Sequence, residues 1–400
     1  MKSLCTTWPS FSDEEATAVK NVILSNKVNY WTGTECREFE KEFAAWVGTE
    51  FAVSLANGTL ALDCALKALG ITDGDEVIVT PRTFLASASC IVNAGAIPVF
   101  ADVDRDSQNI TADTIRAVLT PRTKAVICVH LAGWPCDMDP IMELAQAHGL
   151  FVIEDCAQAH GARYKGRMVG SIGHIGAWSF CQDKIMTTGG EGGMVTTNSR
   201  EWWKTMWSHK DHGKSWDAVY ERQHPAGYRW VHESFGTNWR MLEVQAAVGR
   251  IQLRRMPLWT AQRKANAHRI AAVCNQIPAL RIPVVPADVE HAFYKYYVFV
   301  DPDRLADGWT RDRIMEAISA RGVSCTQGSC SELYQEKCFD HTAYRPKQRL
   351  KVAKELGETS LMFLVHPSLT SSDLELTCRV IMEVFSRAGK AAWNSLMLPH

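Results

Sequence analysis

The stretch Trp178-Ser179-Phe180-Cys181-Gln182-Asp183-Lys184-Ile185-Met186-Thr187-Thr188-Gly189-Gly190-Glu191-Gly192-Gly193 decides the reading of this chain. An apolar, strand-like run leads into a lysine, and a glycine-rich turn follows. An earlier apolar run, Phe151-Val152-Ile153-Glu154-Asp155, ends in a carboxylate 29 residues before Lys184. A buried lysine amine can form a Schiff base with an aldehyde cofactor. A carboxylate facing a pyridine nitrogen keeps that nitrogen protonated. Together they are what pyridoxal 5'-phosphate needs, an anchor and an electron sink. Taken singly, Lys184 reads as well as a solvated loop lysine, and Asp155 as a turn former or helix cap. The weight comes from several such features in order.

Composition bounds the answer. A chain of 400 residues with 46% apolar and 22% charged content has room for a large domain, a smaller one and an ordinary core. A formal net charge of −1 argues against nucleic acid or an acidic membrane as the main partner. The N-terminal Met1-Lys2-Ser3-Leu4-Cys5-Thr6-Thr7-Trp8 lacks an apolar signal core, and no apolar run approaches a membrane span. The 13 cysteines are odd in number and scattered. Cys325 and Cys330 have no second pair at zinc-finger spacing, so no metal site is expected and the cysteines read as reduced thiols of a cytoplasmic protein.

Strand candidates recur at 51–55, 76–80, 97–103, 125–130, 150–155, 176–181 and 193–197. Helical patterns fill most of the early gaps, at 60–69, 86–93, 111–118 and 140–148. This alternation predicts an α/β fold, a mostly parallel seven-stranded sheet with helices on both faces. The short glycine-rich turn before the last strand allows that strand to run antiparallel. Residues 238–256 and 260–276 read as two helices. After Pro283 the rhythm changes, with a strand at 296–300 and helices at 311–321 and 371–388. A large domain over 1–255 and a small α+β domain over 256–400 are expected, the N-terminal segment packing on the small one. The tail from Ala391 carries no readable motif.

Four pieces carry the chemistry. In Ser54-Leu55-Ala56-Asn57-Gly58-Thr59-Leu60-Ala61-Leu62 a strand ends and a helix opens. Free N–H groups there suit a phosphate, although Asn57 or Thr59 would also serve as plain caps. In Thr80-Pro81-Arg82-Thr83-Phe84, an aromatic just past a strand end can stack on a flat ring, or sit in the core. In Glu154-Asp155-Cys156-Ala157-Gln158-Ala159-His160-Gly161, Asp155 can pair with a pyridine nitrogen and Gln158 can reach the ring. His160 is a possible acid or base, though a structural histidine is the stronger reading. In the lysine segment, Ser179 can donate its hydroxyl to the phosphate, and the glycines allow a sharp bend. There is no G-x-G-x-x-G after a first strand and no G-x-x-x-x-G-K-[ST], which rejects dinucleotide and P-loop sites.

As a set, these pieces make the chain resemble the DegT/StrS family of pyridoxal-phosphate-dependent sugar aminotransferases, in the aspartate-aminotransferase (fold-type I) superfamily. The resemblance covers most of the chain and is strongest from about Val53 to Leu253. It includes Gly74-Asp75-Glu76-Val77-Ile78, Thr83-Phe84-Leu85-Ala86-Ser87, Val129-His130-Leu131-Ala132-Gly133, Gly190-Glu191-Gly192-Gly193 and Asn238-Trp239-Arg240-Met241. It implies that Lys184 carries the cofactor and Asp155 holds the pyridinium nitrogen. Gln158 would sit by the ring and Phe84 stack on it, while Gly58, Thr59 and Ser179 hold the phosphate. Asn238 matches the family asparagine that reaches the phosphate of the neighbouring subunit, which implies a homodimer with shared active sites. Lysine rather than histidine at 184 favours transamination over deoxygenation. Gln182 and Asp183 depart from the proline and small or apolar residue common in the family, and Asp183 is assigned no role.

The expected reaction moves an amino group, from glutamate by family resemblance, to a nucleotide-linked keto-sugar. A 4-keto-6-deoxy sugar is the commonest family type, and an O-antigen, lipopolysaccharide or natural product is the expected destination. Residues 208–214, with Arg222 and Arg229, could meet a diphosphate or form a solvated loop, and Trp31-Thr32-Gly33 could line the sugar pocket as in the family. A regulatory protein that binds the cofactor without turnover, and a lyase or dehydratase on the same fold, remain open from sequence.

Overall fold

The computed structural model of the chain describes residues 6–390; the tail from Ala391 and the first five residues lie outside them. Seven strands form the central sheet: β1 (Phe51–Leu55), β2 (Glu76–Val79), β3 (Ile97–Phe100), β4 (Thr123–Val129), β5 (Phe151–Asp155), β6 (Ile175–Ser179) and β7 (Gly193–Thr197). Their spatial order is β1-β7-β6-β5-β4-β2-β3. The β2–β3, β2–β4, β4–β5 and β5–β6 pairs are parallel. β7 runs antiparallel to both β6 and β1, as its short approach turn allows.

The strands are apolar because both sheet faces are covered. Alternate residues go to opposite sides. Val53, Val77, Val79, Ile127 and Ile153 meet helices Gly58–Ala68 and Ala86–Asn93. Ile78, Val126, Cys128 and Val152 meet helices Ala112–Arg116 and Met138–His148. Six of the seven strand positions match expectation within a few residues. The third is shorter, ending at Phe100 rather than Val103. There the chain turns because the Asp102 carboxylate accepts from Val352 N (2.9 Å) and Ala353 N (2.9 Å), capping helix Lys351–Thr359.

The two helices expected over 238–276 are one, Glu243–Cys274, with Pro257 inside it. Proline removes one helical hydrogen bond. The packing of Leu253, Met256 and Trp259 on either side of it keeps the helix continuous. The helix also starts later than expected, because Asn238 and Arg240 make isolated bridges to Asp211 and Leu55 instead. A division at 255/256 would fall inside this helix.

Beyond the long helix, strands Leu280–Arg281, Tyr296–Val300, Ser360–Phe363 and Cys325–Thr326 form a second, antiparallel sheet in that order. Helices Arg311–Ser319 and Ser371–Ala388 and the end of the long helix close a separate core around Val298, Ile318, Leu361 and Phe385. The N-terminal segment docks here: Thr6 Oγ1 donates to Asp373 Oδ2 (2.9 Å), and Trp8 meets Trp259 edge-on at 5.1 Å. No helix among the described residues is long and apolar enough to cross a membrane. The described cysteines are all free thiols.

Candidate active site

The expected cofactor residues other than Asn238 gather at the carboxyl ends of β1, β2, β5 and β6, where open α/β sheets bind ligands. After β1, Asn57 caps helix Gly58–Ala68, its Oδ1 accepting from Leu60 N at 3.0 Å. Capping and phosphate binding are therefore compatible here, because the cap uses one N–H of the first turn. A Cβ on Gly58 would lie 2.5 Å from Ser179 Cβ, so only glycine lets the helix start meet the end of β6. Ser179 is buried, and its Oγ accepts from Cys181 N (3.3 Å), which leaves the hydroxyl hydrogen to donate.

Phe84 is 72% exposed. That rules out the core reading of this residue and leaves a bare aromatic face beside the strand ends. Asp155 is buried at the end of β5 and accepts from Ser87 Oγ (2.8 Å) and Ala157 N (3.1 Å). Ser87 is braced by Thr83 Oγ1 at 2.9 Å. Gln158 Oε1 accepts from Ala132 N (2.8 Å), which turns the side-chain NH2 group outward. Ala132 O in turn accepts from Tyr294 N (2.8 Å), and Lys184 Nζ lies 5.3 Å from the Tyr294 ring centre. Trp8 Nε1 donates to Lys184 O at 2.8 Å. The chain path from Gln158 through Ala132 and Tyr294 thus ends on the lysine.

Asp183, given no role from the sequence, has a defined partner. It is exposed as a residue, yet its carboxylate accepts the Tyr294 hydroxyl. Burial alone would raise its proton affinity; the Lys184 charge and the Tyr294 hydrogen bond outweigh it and hold the carboxyl below its ordinary range.

His160 is fully buried between Trp178 (5.2 Å) and Phe180 (5.6 Å), and neither ring nitrogen has a hydrogen-bond partner of ordinary geometry. Burial, aided by the Lys184 and Arg263 charges, pulls it down to about 3. It is a neutral packing residue and not an acid or base at working pH.

Glu154, next to Asp155, anchors the strand end. It takes the His130 Nε2 hydrogen at 3.0 Å and the N–H groups of Gly170 (2.8 Å), Ile172 (2.8 Å) and Gly173 (2.6 Å). His130 Nδ1 accepts from Cys136 N (3.0 Å), which fixes the tautomer. His130, Glu154 and Cys156 lie close enough to suggest a metal site. The Glu154 oxygens and His130 Nδ1 already accept hydrogen bonds and Cys156 Sγ donates to Glu154 O (3.6 Å), so the cluster is structural.

Of the basic segment, Lys210 and Asp211 are buried rather than solvated, while His212, Arg222 and Arg229 are exposed. Lys210 is fully buried, its Nζ 3.4 Å from the Tyr30 ring centre and 3.5 Å from Glu40 Oε1. Buried Asp211 binds Trp31 Nε1 (2.8 Å), Lys214 Nζ (3.0 Å) and Arg240 Nη1 (2.7 Å). Arg222 pairs with Glu233 at 2.7 Å. Thr32 and Gly33 line a cleft of about 590 Å³ with Glu35, Glu243, Arg250 and Arg254. None of the expected cofactor residues lines that cleft. Gly33 is needed because the Glu243 carboxylate, which accepts from Glu35 N (2.6 Å), occupies the place of a Cβ. Asn238 is exposed, its backbone bridged to Asp211, while the following Trp239 O accepts from Ala56 N (2.9 Å) just past β1.

Sequence reasoning missed three contributors. Ser87 lay within a quoted motif, and its serine beside a strand end was the available signal. Tyr294 and Trp8 are contributed by distant segments and carry no local signal. The residues present fit pyridoxal phosphate: a lysine with no ion pair among the described residues, a buried carboxylate for the nitrogen, a bare aromatic face and a glycine–serine cradle for the phosphate.

Comparison with known proteins agrees with this geometry. The model of the DegT/DnrJ/EryC1/StrS aminotransferase family matches residues 9–382. An aminotransferase structure from Psychrobacter cryohalolentis superposes with a TM-score of 0.94 at 62% identity, covering 96% of this chain and 99% of that one. The spore coat polysaccharide biosynthesis protein SpsC of Bacillus subtilis is 42% identical over 312 residues, 78% of each chain. The GDP-perosamine synthase of Caulobacter vibrioides is 36% identical over 353 residues, 87% of this chain and 89% of that one. The chain belongs to the DegT/DnrJ/EryC1/StrS aminotransferase family and is a pyridoxal-phosphate-dependent sugar aminotransferase.

Proposed function

We propose that this enzyme transfers the amino group of glutamate to a nucleotide-linked 4-keto-6-deoxy sugar, in the cytoplasm, to supply an amino sugar for a surface glycan such as an O-antigen or lipopolysaccharide. The observation that carries the reading is buried, serine-braced Asp155 on a strand paired with the one that leads, five residues past its end, to Lys184, which makes no ion pair among the described residues. A relative named GDP-perosamine synthase and another named for spore coat polysaccharide support the acceptor class and its destination.

Bound pyridoxal phosphate supplies an electron sink. The chain's own residues do the rest. Asp155 keeps the proton on the pyridine nitrogen, and Ser87 holds the carboxylate in place. Gln158 presents its NH2 group to the ring, Phe84 covers one ring face, and Gly58, Thr59 and Ser179 bind the phosphate through N–H and O–H donors. Lys184 would anchor the cofactor, and its Nζ would take up and return the proton of the donor's α-carbon. The same lysine runs the second half with the keto-sugar, in reverse. Asn238, exposed in the single chain, reaches the phosphate of a second copy, so the working form is a homodimer with shared sites.

The test is to incubate the enzyme with glutamate and a panel of UDP-, GDP- and dTDP-linked 4-keto-6-deoxy sugars. Equal formation of 2-oxoglutarate and one amino sugar supports the reading. Oxo-acid without any aminated sugar across the panel contradicts the acceptor.

A further inference from the structure

The surroundings of Lys184 are unbalanced in charge. Lys295 Nζ lies 4.6 Å from the centre of the Tyr294 ring that also lies under Lys184 Nζ. Lys295 is half-buried and has no ion pair or hydrogen bond among the described residues. Arg263 is 1% exposed, and its Nε and Nη2 have no hydrogen-bond partner among the described residues. Its one polar contact is a long bond from Nη1 to Tyr294 O (3.4 Å). The Arg263 guanidinium stacks 5.1 Å from the Trp8 ring, whose Nε1 holds Lys184 O. Against these three cations stands Asp183, already bound to the Tyr294 hydroxyl. His160 and His366 nearby are neutral, both pulled down to about 3 by burial first.

Leaving two basic groups half-buried or buried without a carboxylate is costly unless an anion completes the site. We propose that Lys295, backed by Arg263, is the subsite for the α-carboxylate of the amino donor. This rests on the donor reading above. A carboxylate fits better than a sugar diphosphate, because the α-carboxylate is attached to the carbon that reacts at Lys184. The diphosphate is carried on the far side of the sugar from its keto carbon. Burial, with the Arg263 and Lys184 charges, draws the Lys295 ammonium down to about 8 against the pull of Asp183. A bound carboxylate would oppose that shift. Tyr294 then has two tasks, spacing the two ammonium groups and tying both to Asp183.

The experiment uses the cofactor-loaded enzyme and the Lys295→Met and Lys295→Arg variants. Glutarate, a dicarboxylate without an amine, is titrated by calorimetry, and UDP is titrated in parallel. Glutamate turnover is followed as KM and kcat. We expect Lys295→Met to weaken glutarate and raise the glutamate KM by about tenfold or more, the worth of one charge-assisted hydrogen bond. UDP binding and the visible band of the bound cofactor stay unchanged, and Lys295→Arg restores most of the glutarate affinity. Unchanged glutarate binding in Lys295→Met overturns the proposal, as does a loss confined to UDP. A wild type that converts with another amino acid and not glutamate contradicts only the donor reading. The Lys295→Met comparison is then made with that amino acid, and an unmoved KM overturns the subsite.

Discussion

Ser87 Oγ donates to Asp155 Oδ2 at 2.8 Å, and Ser87 is itself held by Thr83. A residue on the helix after β2 thus aims a carboxylate at the end of β5. Removing the hydroxyl leaves the carboxylate in place but free to turn. Ser87→Ala is expected to lower kcat by about tenfold, the loss of one hydrogen bond to a charged group. Asp155→Asn should cost far more, about a hundredfold or beyond, because it cannot hold the pyridinium proton. Steady-state kinetics on both variants, with cofactor content measured by absorbance, checks the order; equal rates for Ser87→Ala and wild type would contradict it.

Gly58→Ala places a methyl group 2.5 Å from Ser179 Cβ. Either the helix start or the end of β6 must move, and both carry phosphate donors. Cofactor affinity is expected to fall by about tenfold or more, with a lesser loss of thermal stability. Titration of the apoenzyme with pyridoxal phosphate measures it. An affinity equal to wild type would mean the cradle is not where the phosphate binds.

Glu154→Gln tests the support of the strand end. The carboxylate accepts four hydrogen bonds, three from backbone N–H groups. An amide would turn its own NH2 against those donors. The expected loss of stability is about 3 kcal/mol or more, readable by urea unfolding. A loss below about 1 kcal/mol would show that the site relaxes around the amide.

Three histidines, His160 and His366 buried and His291 half-buried, give acid sensitivity. Burial, the largest cause in each, pulls His160, His291 and His366 from the ordinary 6.5 down to about 3. The unfolded chain therefore binds more protons than the folded one between these values. Stability from these groups is complete above pH 6.5 and is lost progressively as pH falls toward 3. Melting curves at a series of pH values should fall through this window, and His160→Phe should flatten the slope. A melting temperature that does not change on acidification would contradict it.

Much of this was legible in the sequence, for identifiable reasons. The central strands are short apolar runs bounded by turns, and β1 and β7 end at the expected residues because glycine and asparagine punctuate them. Lys184 and Asp155 stood out because each ends such a run. Two things were hidden. Pro257 signalled a helix break, and tertiary packing overrode it. Tyr294 and Lys295 come to the lysine from 110 and 111 residues away, and only the fold brings them there. Lys210 looked like a surface cation, whereas its burial against Tyr30 and Glu40 depends on the packing of an N-terminal helix.

In the proposed reaction Lys184 carries the cofactor and glutamate is the first reactant. The most direct measurement is the near-ultraviolet and visible spectrum of the purified enzyme before and after excess glutamate, beside Lys184→Ala. A visible band of lysine-bound pyridoxal phosphate is expected in the wild type, lost on adding glutamate, and no such band from Lys184→Ala. A wild type without the band even after added pyridoxal phosphate, or a Lys184→Ala variant with the same band and the same response, would contradict it.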